Sequence, residues 1–157
     1  MELLYKEVMP MKRMVIMMGI PGSGKSTFFQ QYLRQDFVRV NLDTLKTRHR
    51  EKLLIEDCIA KGCNYAIDNT NPQKADREKY IPAAKAAGYR IIGYFMESKL
   101  SACMDRNRQR SGKERIPDTA IACISNKLEL PSFAEGFDEL YFVSNNGKDM
   151  TIEKWRE

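Results

Sequence analysis

Lys25 and Ser26 close the run Gly19-Ile20-Pro21-Gly22-Ser23-Gly24-Lys25-Ser26, which fits the spacing GxxxxGK[ST] without a departure. Glycines let the backbone curl so that successive N–H groups aim at phosphate oxygens. A helix starting near Lys25 adds the positive end of its dipole. Lys25 then reaches the β- and γ-phosphates, and the Ser26 hydroxyl ligates Mg²⁺. Gly22, Ser23, Gly24, Lys25, Ser26 and Thr27 are therefore the expected cradle for a nucleoside triphosphate, ATP or another. The competing reading is a glycine-rich turn with no ligand. The apolar stretch before the motif and the helical pattern after it favour the phosphate loop.

Two carboxylates follow strand-like segments. Asp43 stands in Val40-Asn41-Leu42-Asp43-Thr44, where it could orient an acceptor hydroxyl and take its proton. It could equally do no more than cap a helix. Asp68 ends the apolar run Tyr65-Ala66-Ile67 and precedes Asn69-Thr70-Asn71-Pro72. A carboxylate there is expected to support the cation held by Ser26; the alternative is an Asx-turn closing the strand. Arg106, Arg108, Arg110, Lys113 and Arg115 cluster later in the chain. They suit a mobile lid that neutralises charge on a transferring phosphoryl group, or else a solvated face. Lys46, Arg48, Arg50 and Lys52 follow Asp43 and could hold nucleic-acid phosphates, or simply face water.

Positioning these groups needs a scaffold that brings several strand ends to one edge. Strand patterns at residues 13–18, 37–40, 64–68, 90–95 and 139–143 alternate with helical patterns at 25–34, 45–60, 72–87 and 100–110 and from 118 onward. Phe28, Phe29, Tyr32 and Leu33 supply the inward face of the first helix. Gly62 and Gly88 read as helix stops, Pro82 as a kink or break, and Asp118 as an N-cap. The alternation predicts an α/β fold: a five-stranded, mostly parallel sheet with helices on both faces and an arginine-bearing lid. Ligands of such sheets bind at the carboxyl ends of the strands, the edge reached by Gly19, Asn41 to Asp43 and Asp68. Asn145-Asn146-Gly147 signals a turn, with a short strand or helix after it.

The chain has 157 residues, a length suited to one domain. Residues 13–157 are read as that domain and residues 1–12 as an N-terminal extension. The net charge of +5 suits an anionic partner weakly. No apolar run reaches a membrane span, and the first ten residues lack the cationic end and apolar core of a signal peptide, so the expected compartment is the cytoplasm. Cys58, Cys63, Cys103 and Cys123 form no CxxC pair, and the single His49 gives no metal cluster. Ser125-Asn126-Lys127-Leu128-Glu129 departs from the Asn-Lys-x-Asp that reads guanine, and protein-kinase signatures are absent.

From about Met14 to Tyr141 the chain resembles the kinase domain of polynucleotide 5′-kinases, especially the kinase half of polynucleotide kinase/phosphatases. The phosphate loop is shared by many families. More specific are Val40-Asn41-Leu42-Asp43-Thr44-Leu45 and Ala66-Ile67-Asp68-Asn69-Thr70-Asn71-Pro72, joined by Asn107-Arg108-Gln109-Arg110, Ile116-Pro117 and Ala134-Glu135-Gly136-Phe137. The resemblance implies that Asp43 is the general base for a 5′-hydroxyl and that Arg110 is the lid arginine, with Arg106 and Arg108 beside it. It implies that Asp68 is an acidic residue of the site. Lys46, Asp68, Asn69 and Arg77 are expected on the acceptor side. Leu42 stands where the family often carries arginine. The function so implied is transfer of the ATP γ-phosphate, with Mg²⁺, to the 5′-end of RNA or DNA. A kinase of a small molecule and a slowly hydrolysing regulatory module remain the other readings.

Overall fold

A computed structural model describes residues 11–146 and 149–157. The N-terminal extension therefore lies almost wholly outside the described residues, as does Gly147 of the predicted turn. At the centre is β1 (Arg13–Met18), whose last five residues are buried on both faces. Met14, Ile16 and Met18 point to one apolar layer, and Val15 and Met17 to the other, as the period-two geometry of a strand requires. The sheet runs β2 (Val38–Val40), β3 (Tyr65–Asp68), β1, β4 (Arg90–Met96), β5 (Glu139–Asn145), β6 (Met150–Lys154). The first five are mutually parallel and β6 pairs antiparallel with β5.

Helices cover both faces, as predicted. On one, α1 (Lys25–Phe28) continues as a π-helical turn over Phe29–Leu33 and buries Phe28, Phe29 and Leu33 against Val15 and Met17. Tyr32 keeps a ring contact with Phe28 at 4.9 Å but is 48% exposed, at the rim of that face rather than within it. On the other face α3 (Arg48–Lys61) brings Cys58, and α5 (Ile81–Ala86) brings Ile81 and Ala84, against Ile16, Tyr65 and Ile67.

Among the described residues the sheet has six strands, not the expected five. Four of the five residues of β6 are exposed, so it carries no apolar run to betray it. Trp155 just beyond packs against Phe95 and Phe142. Three helical expectations also change. The helix expected at 45–60 is α2 (Leu42–Leu45) followed by α3. The break falls at Lys46, which takes φ 78, and Thr47 caps α3 by accepting from the Arg50 N–H at 3.1 Å. The helix expected at 72–87 divides into α4 (Lys74–Glu78) and α5, with Pro82 in the first turn of α5, where the missing N–H costs nothing. Asp118 is the first residue of α7 (Asp118–Lys127) rather than its cap.

A third, smaller apolar cluster joins the lid to the phosphate loop. Ile20 of the loop packs with Cys103 of α6 (Leu100–Arg108) and Ile121 of α7. Between those helices Asn107, fully buried, donates to the Ile116 carbonyl at 2.5 Å and accepts from the Ile116 N–H at 2.9 Å. That two-point clamp sets the path of the arginine-bearing segment over the strand ends. Among the described residues no helix is long and apolar enough to cross a membrane.

Candidate active site

The strand ends meet at one cavity of about 250 Å³. Gly22, Lys25 and Ser26 line it after β1, Asn41 to Asp43 after β2, Asp68 to Thr70 after β3, and Arg110 from the lid. Two glycines shape the phosphate loop. Gly22 has φ 83, and a Cβ there would lie 2.4 Å from the Cys103 carbonyl oxygen. Gly24 has φ 99 and lies against the Asn145 side chain, which a Cβ would meet at 2.7 Å. Only glycine fits both demands. At the start of α1 the first N–H groups, those of Lys25, Ser26 and Thr27, have no intrahelical acceptor.

Lys25 folds back over the loop and donates to the Gly19 and Ile20 carbonyls at 2.8 and 3.0 Å. Burial pushes its ammonium down to about 8, against the pull of the Asp68 carboxylate; the nearby Arg110 charge lowers it further. The Ser23 side chain is turned inward and fully buried, and its N–H already donates to the Ile20 carbonyl at 3.1 Å. The Ser23 side chain therefore builds the turn and does not line the cavity. Thr27 is exposed on α1.

Asp68 ends β3 only 2% exposed. Its Oδ2 accepts from Arg39 Nε at 2.7 Å, and Arg39 Nη2 donates to Ser26 Oγ at 3.0 Å. Arg39 comes from the middle of β2, and sequence reasoning missed it. It sits between two apolar residues in a short strand, which reads as an outward-facing polar position. The guanidinium spans the two oxygens expected to serve a divalent cation, so both face one point that favours positive charge. A hydroxyl and a carboxylate are the hard oxygen donors that Mg²⁺ takes, usually with phosphate and water completing the set. The residues present fit that cation. Among the described residues no group of three or more His, Cys, Asp or Glu could hold a metal unaided.

Asp43 lies in the first turn of α2, exposed to the cavity. The cap of that turn is Asn41, whose Oδ1 accepts from the Thr44 N–H at 3.1 Å while its Nδ2 donates to the Asp68 carbonyl at 2.7 Å. Capping thus falls to Asn41 and leaves the Asp43 carboxylate for other work. Lys46, exposed beyond it, is at the C-terminus of the same turn.

The three lid arginines part company. Arg110 is half-buried and lines the cavity. Arg106 Nε donates to the Gly22 carbonyl at 2.6 Å and so holds the phosphate loop itself. Arg108 is paired with Asp105 at 3.0 Å and Asp118 at 3.1 Å and does not line the cavity. Of Asn69 and Arg77, both expected on the acceptor side, Asn69 lines the cavity and Arg77 does not. Arg77 is fully buried, bridged to Glu135 at 2.8 Å, and donates to the Asn71 and Glu129 carbonyls. It ties α4 to the segment before β5 and meets no acceptor. Asn69 has both ends of its amide engaged inside the protein, with Leu42 and Glu51.

The pattern of the AAA domain family matches residues 14–53 and 46–131. The chain belongs to that family. This AAA domain is 33% identical over 147 residues to a putative bifunctional polynucleotide phosphatase/kinase of Acanthamoeba polyphaga mimivirus, covering 89% of this chain and 35% of the relative. It is 28% identical over 153 residues to a bifunctional polynucleotide phosphatase/kinase of Schizosaccharomyces pombe, covering 93% of this chain and 38% of that one. The domain thus spans little more than a third of the length of these curated relatives. Its fold matches the crystal structure of a fungal RNA kinase with a TM-score of 0.68 at 11% identity, over 89% of this chain and 40% of that one. The chain is thus a P-loop domain of the AAA family, similar in sequence to part of these polynucleotide phosphatase/kinases.

Proposed function

We propose that this domain transfers the γ-phosphoryl group of ATP to the 5′-hydroxyl of a polynucleotide. The observation that carries the reading is that Lys25, Ser26, Asp43 and Arg110 line the same cavity. Phosphoryl transfer asks little of covalent chemistry and much of placement and charge. Lys25 and the first N–H groups of α1 hold the triphosphate. Asp43 orients the acceptor hydroxyl and takes its proton as the new oxygen–phosphorus bond forms. The bond from the γ-phosphorus to its bridging oxygen breaks in line, and ADP leaves with the electron pair. Arg110 stabilises the charge spread over the transferring group. A divalent cation, when bound, neutralises β- and γ-phosphate charge; Ser26 and Asp68 are the residues that would hold it.

A polynucleotide acceptor is supported by the names of the curated relatives and by charge. Lys46, Arg50 and Lys52 are exposed at and beyond the turn that carries Asp43. Phosphate contacts of that kind make affinity fall steeply with salt.

The test is transfer of labelled γ-phosphate from ATP to 5′-hydroxyl RNA and DNA oligonucleotides and to a panel of nucleosides and sugars. Asp43→Asn should cut turnover about 10²- to 10⁴-fold and leave nucleotide affinity intact, whereas Lys25→Ala should lose both. Label confined to a small molecule would overturn the acceptor. Free phosphate released equally by wild type and Asp43→Asn would overturn the reaction.

A further inference from the structure

Glu51 lies in the first turn of α3 and is only 5% exposed. Its link to the cavity lining runs through Asn69. Its Oε1 accepts from Arg48 Nη1 at 3.0 Å and from the Tyr80 hydroxyl at 3.1 Å. Its Oε2 accepts from Asn69 Nδ2 at 3.1 Å. The other end of that amide, Asn69 Oδ1, accepts from the Leu42 N–H at 3.0 Å, and Leu42 is the peptide neighbour of Asp43.

The polarity of this chain is determined at both ends. An amide side chain is nearly symmetric in shape, so its neighbours decide which end is oxygen. The Leu42 N–H can only donate and needs the oxygen. An ionised carboxylate can only accept and needs the NH₂. Glu51 therefore holds Asn69 in the one orientation that secures the backbone at Leu42. On its other side Asn41 binds the Asp68 carbonyl, so the Asp43 turn is fastened to β3 at two points.

We propose that Glu51 is a positioning residue for the Asp43 turn, acting through Asn69 on the Leu42 backbone. Its effect on turnover rests on the proposed role of Asp43; the relay to Leu42 does not. A merely structural role, joining α3 to Tyr80 at the start of α5, would leave Leu42 indifferent to which end of the amide faces it.

The experiment is a polarity exchange, read by amide hydrogen exchange at Leu42 and by phosphoryl transfer. Glu51→Gln still accepts from Arg48 and Tyr80 but sets one amide NH₂ against another. Leu42 exchange should quicken about tenfold, as expected for one lost hydrogen bond of about 1.4 kcal/mol, and kcat should fall with the nucleotide KM unchanged. The double variant Glu51→Gln/Asn69→Asp reverses donor and acceptor and should restore Leu42 protection and kcat. Tyr80→Phe, which removes a different partner of Glu51, should leave Leu42 unchanged. Unaltered Leu42 exchange in Glu51→Gln, or a double variant no better protected than the single, overturns the proposal. If Glu51→Gln is too unstable to label, recovery of its melting transition in the double variant supports the relay, and no recovery overturns it. Should the wild type label no oligonucleotide, the functional reading fails while the exchange measurements still decide the relay.

Discussion

The two banks of the cavity are built by different means. The phosphate bank is mostly backbone: Gly22 and Gly24 at positive φ, the first N–H groups of α1, and one lysine folded over the loop. The acceptor bank is mostly side chain. Asp43 stands on a four-residue turn that Asn41 and Asn69 fasten to β3, with Glu51 behind Asn69. A bank made of backbone tolerates any residue that fits its curl. A bank made of relayed side chains depends on each member. Away from Gly22 and Gly24 the phosphate bank should therefore keep its geometry under substitution, and the acceptor bank should lose it piecemeal.

Arg39 joins the two banks, and replacing it should have the largest effect on the comparison. Its guanidinium is the cation beside the buried Asp68 carboxylate and also reaches Ser26. Arg39→Met keeps an unbranched apolar stem and removes the charged head, leaving that carboxylate buried without its donor at a cost of about 2 kcal/mol. The melting temperature should fall. Millimolar Mg²⁺ with ADP should return part of the loss, because a cation held between Ser26 and Asp68 supplies the missing charge and binds only the folded state. An equal loss with and without Mg²⁺ would mean that these oxygens do not take the cation, and that Arg39 only braces β2 against β3.

This division also explains what the sequence shows. The phosphate loop is legible because a backbone conformation open only to glycine leaves its mark as fixed glycine spacing. The alternation of apolar segments likewise reveals five parallel strands, since burial on both faces is written into Met14 to Met18 and Tyr65 to Ile67. Polar residues that act through other polar residues leave no such mark. Arg39, Glu51 and Arg77 occur at positions whose spacing reads as strand edge or solvated helix, and only the packing shows each to be engaged. Arg77 is the sharpest case: an arginine near the acceptor segment in sequence is a fully buried strut in the fold. Strand β6 is legible only as a short strand or helix after the Asn145-Asn146-Gly147 turn, because an edge strand with four of five residues exposed carries no apolar run.

The phosphate bank has its own point of sensitivity, smaller and set by pH. Burial holds the Lys25 ammonium near 8 in the free protein, whereas a bound polyphosphate favours the charged form. Below pH 8 the lysine is already protonated and binding needs no proton. Above it the free protein must take one up. Nucleotide affinity should be level toward neutral pH and then fall, approaching tenfold per pH unit, or about 1.4 kcal/mol. Calorimetry at pH 9 in buffers of different ionisation heat should show close to one proton taken up on binding. Lys25→Arg should abolish that uptake, since a guanidinium stays charged throughout. Uptake unchanged in Lys25→Arg would place the titrating group elsewhere.

The smallest expected effect lies on the acceptor bank and has the opposite sign. Lys46 closes the Asp43 turn with φ 78 and ψ −36, a conformation that costs a residue with a Cβ about 1 kcal/mol or more. Its N–H still donates to the Leu42 carbonyl at 2.7 Å, so the strain persists because the turn requires that bond. Lys46→Gly removes the strain and should raise stability by about 1 kcal/mol, less the entropy that glycine loses on folding. If Lys46 also holds acceptor phosphate, the same substitution should weaken oligonucleotide binding and flatten its salt dependence by close to one counterion. Lys46→Ala separates the two roles: it should lose the phosphate contact and keep the strain. Equal stability of the glycine and alanine variants would show that the turn relaxes around position 46, and that the acceptor bank is softer than its hydrogen bonds imply.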